Sequence, residues 1–204
     1  MAKRLEALIA QARRAKRPRD QKEVAFGLAD LSTHEELHDR IVKKGGVLSL
    51  LTLLERATDA EAQRFCSLGL ANCASSVFTR ERIVEEGALR LLCKLCRDEE
   101  ADLVARQYAA MALGNLAAEP SLHEELVKLE AVDALVALLR VEEVESGRYA
   151  AFGLANLAAN ANHRDRIVEE GAVPALVTLA CADDPNAQRQ ALTALRGLCI
   201  TPAH

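Results

Sequence analysis

Asp165-Arg166-Ile167-Val168-Glu169-Glu170-Gly171 matters most for the fold because close copies of it stand elsewhere in the chain. Asp39-Arg40-Ile41-Val42-Lys43-Lys44-Gly45 and Glu81-Arg82-Ile83-Val84-Glu85-Glu86-Gly87 repeat its pattern. Glu124-Glu125-Leu126-Val127-Lys128-Leu129-Glu130 repeats it with the final glycine replaced. The steps from Ile41 to Ile83, to Leu126 and to Ile167 are 42, 43 and 41 residues. A second motif keeps the same step: Gly27-Leu28-Ala29-Asp30-Leu31, Gly69-Leu70-Ala71-Asn72-Cys73, Ala112-Leu113-Gly114-Asn115-Leu116, Gly153-Leu154-Ala155-Asn156-Leu157 and Ala194-Leu195-Arg196-Gly197-Leu198. Two motifs held in phase mark a tandem array, whose units bury their apolar faces against one another.

Each period divides into three helical pieces. A short apolar-periodic run follows the Ile-Val-x-x-Gly motif, as in 47–54 and 173–179, and a longer one follows that, as in 60–74 and 143–159. Val47, Leu50, Leu51 and Leu54 have the i, i+3, i+4 spacing that lines one helix face. Pro120, Pro174 and Pro185 fall at predicted helix starts, where a missing N–H costs little. Gly45, Gly87 and Gly171 fall between first and second helices, where a left-handed backbone favours glycine. Glu130 in that place predicts a turn that differs or is strained.

The period, the three helices, the glycine after the first and the Leu-x-Asn-Leu motif in the third resemble the armadillo repeat over nearly the whole chain. That resemblance implies an all-α armadillo-repeat solenoid, a right-handed superhelix of three-helix repeats. The chain reads as a single domain, 1–204, with a partial first repeat at 1–33, four complete repeats at 34–75, 76–118, 119–160 and 161–200, and a tail at 201–204. Leu5, Leu8, Ile9 and Ala12 stand 42 residues before Val47, Leu50, Leu51 and Leu54, so the chain begins inside a repeat.

In armadillo proteins the third helices line a concave groove that takes an extended peptide. Counting along those helices gives three ladders. One is Asp30, Asn72, Asn115, Asn156 and Gly197; four residues earlier stand Phe26, Leu68, Met111, Phe152 and Thr193; eight earlier stand Lys22, Arg64, Gln107, Arg148 and Arg189. These offsets keep each ladder on nearly one helix face. The expected peptide-binding residues are Arg64, Asn72, Gln107, Asn115, Arg148, Phe152, Asn156 and Arg189. Amides pair with a main chain, and the basic row meets an acidic or polar ligand. Structural readings stand beside these: the Asn row satisfying helix-end carbonyls, the apolar row serving as core, and the basic row paired with neighbouring Glu. The apolar row contains no Trp, where importin-alpha-type receptors carry one, so the groove is more similar to that of catenin-like proteins. The regular units are also similar to vacuolar-anchor and armadillo-repeats-only proteins.

Composition bounds the alternatives. Half the residues are hydrophobic, which excludes a disordered chain. The longest apolar run, 171–182, falls short of the roughly 20 residues of a membrane span. The amino end makes a poor secretory signal, Ala2 lacks the myristoylation glycine, and the carboxyl end is no lipidation box, so a cytoplasmic, or else nuclear, location is expected. The six cysteines read as reduced, buried small hydrophobes, including the pair in Cys93-Lys94-Leu95-Cys96. His34-Glu35-Glu36-Leu37-His38 matches a zinc-protease string, but Arg80, His123 and Arg164 stand in step with His38 and imply a cationic surface position. No metal, cofactor, small-molecule substrate or enzymatic activity is expected. The first 22 residues carry a net charge of +6 and leave −10 for the rest, and Arg13-Arg14-Ala15-Lys16-Arg17-Pro18-Arg19 looks like a nuclear-localisation cluster. The acidic body and few aromatics argue against nucleic acid. The function expected is a non-catalytic protein-interaction scaffold; the alternatives are an assembly subunit that self-associates through exposed repeat ends, and a nuclear transport adaptor.

Overall fold

The computed structural model describes residues 2–200, and the tail assigned to 201–204 lies outside them. The leading partial unit forms α1 (Ala2–Ala12) and α2 (Pro18–Ser32). Three-helix modules follow: α3 (His38–Lys43), α4 (Gly46–Arg56) and α5 (Ala60–Ser75), then α6 (Arg80–Glu85), α7 (Ala88–Arg97) and α8 (Leu103–Ala117). Next come α9 (His123–Lys128), α10 (Ala131–Leu139) and α11 (Val144–Ala158), and finally α12 (Arg164–Glu169), α13 (Ala172–Ala180) and α14 (Pro185–Cys199). Among the described residues there is no strand, and no helix is long and apolar enough to cross a membrane.

The first helix of each module is only six residues long, too short to stand alone. Packing holds it: Ile41, Ile83, Leu126 and Ile167 are fully buried. Each ends in a residue of left-handed backbone that swings the chain into the second helix: Gly45 (φ 84°), Gly87 (φ 86°) and Gly171 (φ 79°). Glu130 adopts the same turn at φ 63°, so the turn does not differ and the strain is real, about 1–2 kcal/mol for an L residue. Its carboxylate is engaged. Arg97 Nη1 lies 2.6 Å from Glu130 and 2.8 Å from Asp133. One module on, Arg140 Nη2 donates to Glu170 O at 2.7 Å, beside Gly171. Arginine at one helix end thus grips the next module's turn, by its side chain in one case and by its backbone in the other.

The third helices are the spine. The most extensive packing in the molecule joins α2, α5, α8, α11 and α14 in succession. Small residues let them approach: Ala25, Ala110 and Ala151 are fully buried, as is Ser67 at the corresponding place. A methyl group on Gly69 or Gly153 would strike Leu50 or Leu135 of the second helix.

Two expectations are corrected. The row of His38, Arg80, His123 and Arg164 is not a cationic surface position. His38 and His123 are buried, and their Nε2 atoms donate to Ser32 O and Ala117 O, each at 2.7 Å. Arg80 Nε donates to Ala74 O at 3.1 Å and Arg164 Nε to Ala158 O at 2.9 Å. The row caps the last turn of each third helix, whose carbonyls lack intrahelical partners. Glu35 lies on a 3₁₀ turn before α3, so His34 and His38 do not share a helix face. The second correction concerns cysteine. Cys66, Cys73, Cys93 and Cys96 are buried, with thiol pKa values pushed up by desolvation, but Cys181 and Cys199 are exposed. Cys181 stands at the end of the second helix of its module, where Glu55, Arg97 and Arg140 stand exposed or half-buried in the others, whereas Cys199 has the buried Ala74, Ala117 and Ala158 as counterparts.

His163 occupies the position filled by Leu37 and Leu122 in other modules, and its ring meets that of His123 edge to face at 5.6 Å. Burial first, then the His123 charge, lower its pKa, against an opposing pull from Glu124. The unfolded chain therefore binds the proton more tightly than the folded one. Stability from this group is fully present above the unfolded value of about 6.5 and falls as pH drops through and below it. The urea midpoint should fall on acidification through that window, and His163→Leu should lessen the fall; an undiminished fall in the variant would show that the dependence arises elsewhere.

Candidate functional site

The three ladders expected from the sequence lie on α2, α5, α8, α11 and α14, and each makes bonds between modules. Asn115 Nδ2 donates to Ala71 O of the preceding third helix at 3.0 Å, and Asn156 Nδ2 to Gly114 O at 2.9 Å. Each acceptor is the residue just before the preceding ladder position. Asn72 would reach Ala29 by that rule. Instead its Nδ2 donates to Ser32 Oγ at 3.1 Å, and that hydroxyl donates to Ala29 O at 2.7 Å, so a relay replaces the direct bond. The three side chains are half-buried, and the bonds use one amide hydrogen of each. Their Oδ1 atoms and second hydrogens make no other hydrogen bond among the described residues. Asp30, at the first rung, accepts an ion pair from Arg4 at 2.9 Å.

The basic ladder sits at the other end of the third helices and meets a row of acids that sequence reasoning missed. Asp59, Asp102, Glu143 and Asp184 are the N-cap residues of α5, α8, α11 and α14, and each side chain accepts a backbone N–H of its own first turn. A carboxylate there satisfies an orphan donor and faces the positive end of the helix dipole. The preceding rung reaches toward it. Arg64 makes a two-pronged bond to Asp102, 2.7 Å on each prong. Gln107 Nε2 donates to Glu143 Oε2 at 2.7 Å and to Ser146 Oγ at 3.0 Å, and Gln107 is buried. Lys22 reaches Glu61, two residues past the cap, at 2.9 Å. Arg148 bonds Glu145 on its own helix and stacks 4.6 Å over Tyr149. Arg189 is exposed and touches only Asn186, at 3.4 Å.

The charges follow these contacts. The Arg64 guanidinium holds the Asp102 carboxyl below the usual carboxylate range, and the Ala105 N–H adds to it. Burial would raise Glu143, but the N–H of Ser146, its hydroxyl and the N–H of Glu145 outweigh it and lower the pKa. Burial opposes the charge on Arg148, and Glu145 more than restores it. The acids were detectable in the sequence: Asp102 follows Arg64 by 38 residues and Glu143 follows Gln107 by 36, so the pairing keeps nearly one step.

The apolar ladder is mixed. Phe26 is about half exposed and meets Phe65 of the next third helix edge to face at 5.1 Å. Phe152 is half-buried, its ring laid over Gly114, where a methyl group would collide with it. The structure therefore brings Arg64, Asn72, Gln107, Asn115, Arg148, Phe152 and Asn156 into one stack of helices, but commits Arg64 and Gln107 to bonds between modules. Of the three arginines in the set, Arg189 projects without a charged partner among the described residues.

Removing one rung should be measurable. Asn156→Ala leaves Gly114 O without its side-chain donor at a closely packed seam. The expected loss is about 1–2 kcal/mol of unfolding free energy in urea. Asn72→Ala, whose target oxygen keeps the Ser32 hydroxyl, should lose less; equal losses would contradict the relay.

Comparison with known proteins agrees with this arrangement. The family model for the armadillo/beta-catenin-like repeat matches residues 160–200. The crystal structure of an engineered protein is 32% identical, with a TM-score of 0.86 over 95% of this chain and 78% of that one. A designed armadillo repeat protein in complex with the peptide (KR)4 is 26% identical, with a TM-score of 0.84 over 95% and 81% of the two chains. Another designed armadillo repeat protein is 26% identical, with a TM-score of 0.86 over 95% and 82%. With the three-helix period, the third-helix asparagine seam and these likenesses together, the chain belongs to the armadillo repeat family.

Proposed function

We propose that the chain is a non-catalytic scaffold that holds an extended polypeptide across its third helices. One observation carries this reading: Asn72, Asn115 and Asn156 stand in register, and each keeps a carboxamide oxygen and an N–H free of the seam. An extended main chain offers the complementary groups at each residue. Single rungs contribute little, and several acting together supply affinity.

The basic row supports an acidic or polar ligand, with polar favoured over polyacidic. Arg64 already holds Asp102 with both prongs, and a ligand carboxylate there would have to displace it. Arg148 and Arg189 are freer, and Phe152, one turn beyond Arg148 on α11, offers an apolar surface. A second reading has one observation in its favour. The designed relative is in complex with (KR)4, and Glu61, Asp102, Glu145 and Asp184 stand along the same helices here. A basic peptide could use these acids, at the cost of competing with Lys22, Arg64 and Arg148.

Fluorescence polarisation with labelled acidic, neutral polar and (KR)4 peptides separates the two. The chain should bind the polar or acidic peptide, and Arg148→Glu with Arg189→Glu should weaken it by roughly tenfold or more while leaving helicity intact. Binding of (KR)4 alone, strengthened by the same pair of substitutions, would overturn the acidic or polar reading and favour the second.

A further inference from the structure

Arg106 stands nine residues before Asn115, on the α8 face turned toward the second helices. Gln63 and Gln188 occupy that position in the first and last complete modules. Each donates a side-chain N–H to a carbonyl just beyond its second helix: Gln63 to Ala57 O at 3.1 Å, Gln188 to Ala182 O at 2.8 Å. Arg106 performs the equivalent task with Nε, 3.1 Å from Cys96 O. That task needs one donor and no charge. Arginine brings a full positive charge and four more N–H bonds to a residue that is only 6% exposed. Among the described residues Arg106 makes no ion pair and no second hydrogen bond. Its unpaired Nη atoms are not sealed from solvent, and an anion at hydrogen-bond distance would meet donors that no protein group uses.

The surroundings provide the space. Arg106 lines a cavity of about 350 Å³ with Glu99, Ala137, Arg140 and Val141. Arg140 donates Nη2 to Glu170 O on the next module's turn, and its other N–H groups make no hydrogen bond among the described residues, so an anion in the cavity can draw on them. Two arginine side chains therefore border one cavity. Glu99 is the only acid in the lining; it is exposed and makes no ion pair among the described residues. The corresponding positions in the neighbouring modules hold Gln63 and Gly147, so the paired charge is particular to this seam.

We propose that this cavity binds an oxyanion, a carboxylate or phosphate group, held between Arg106 and Arg140. The planar forks of two arginines match the paired oxygens of such a group better than a spherical halide. The site uses none of the residues assigned to the peptide, so it stands or fails independently of that reading.

The test is a titration of the whole chain with inorganic phosphate, and separately with acetate, near neutral pH at constant ionic strength, with chloride as reference. The readouts are the Arg106 and Arg140 Nε–H resonances, the second of which remains observable in Arg106→Gln. A saturable displacement is expected with an oxyanion and not with chloride. Arg140→Gln should weaken binding by roughly tenfold or more, and Glu99→Gln should tighten it. Arg106→Gln should fold normally, because Gln63 and Gln188 already serve in that position, and should abolish the response. Saturation by phosphate but not acetate, or the reverse, identifies the preferred group. Three results would overturn the proposal: a response no greater than that to chloride, a response retained in Arg106→Gln, or a Glu99→Gln variant that loses stability and gains no affinity, which would make Glu99 the native counter-ion.

Discussion

Successive third helices from α2 to α11 are bonded to one another at both ends, and the register of those three seams depends on the two sets of bonds; α11 and α14 pack closely without either. At one end a half-buried asparagine donates to a carbonyl of the preceding helix. At the other, Arg64 and Gln107 reach the acidic N-cap of the following helix, and Lys22 reaches Glu61 in its first turn. Burial of leucine and alanine supplies most of the stabilisation, but apolar surfaces alone tolerate sliding. Directional bonds at both ends fix the register, and register is what gives an array a repeating surface. In a solenoid each module contacts only its neighbours, so a fault in one seam moves every rung beyond it.

The same bonds determine what the surface can recognise. A cation already shared with an N-cap acid is a weaker magnet than a bare one, and a carboxamide that has used one hydrogen still has two groups left. The ladder is thus richer in main-chain recognition than in charge. On the function proposed above, this would suit an extended polypeptide whose sequence matters less than its conformation, with Arg148, Phe152 and Arg189 as the residues to select among ligands.

Much of this was legible in the sequence, for physical reasons. The period, the fully buried anchor of each first helix and the left-handed glycines all follow from local rules of helix formation. Even the glycine exception at Glu130 announced strain, and φ 63° bears it out. What stayed hidden needed partners far apart in the chain. His38 and His123 looked like surface cations because their target carbonyls become neighbours only after the chain turns. Arg64 looked free because Asp102 lies 38 residues away. Cys181 and Cys199 looked like core because they close apolar stretches, but Cys181 falls where Glu55, Arg97 and Arg140 stand in the other modules, a place no module buries fully. The Ser32 relay under Asn72 had no counterpart in the other rungs to suggest it.

The central claim is that directional bonds between modules lock the third helices in register. A double-mutant cycle at Arg64 and Asp102, read by urea unfolding, tests it most directly. The two-pronged geometry predicts a favourable coupling energy clearly distinguishable from zero. A coupling indistinguishable from zero would contradict it, and would leave shape and apolar contact as the only determinants of register.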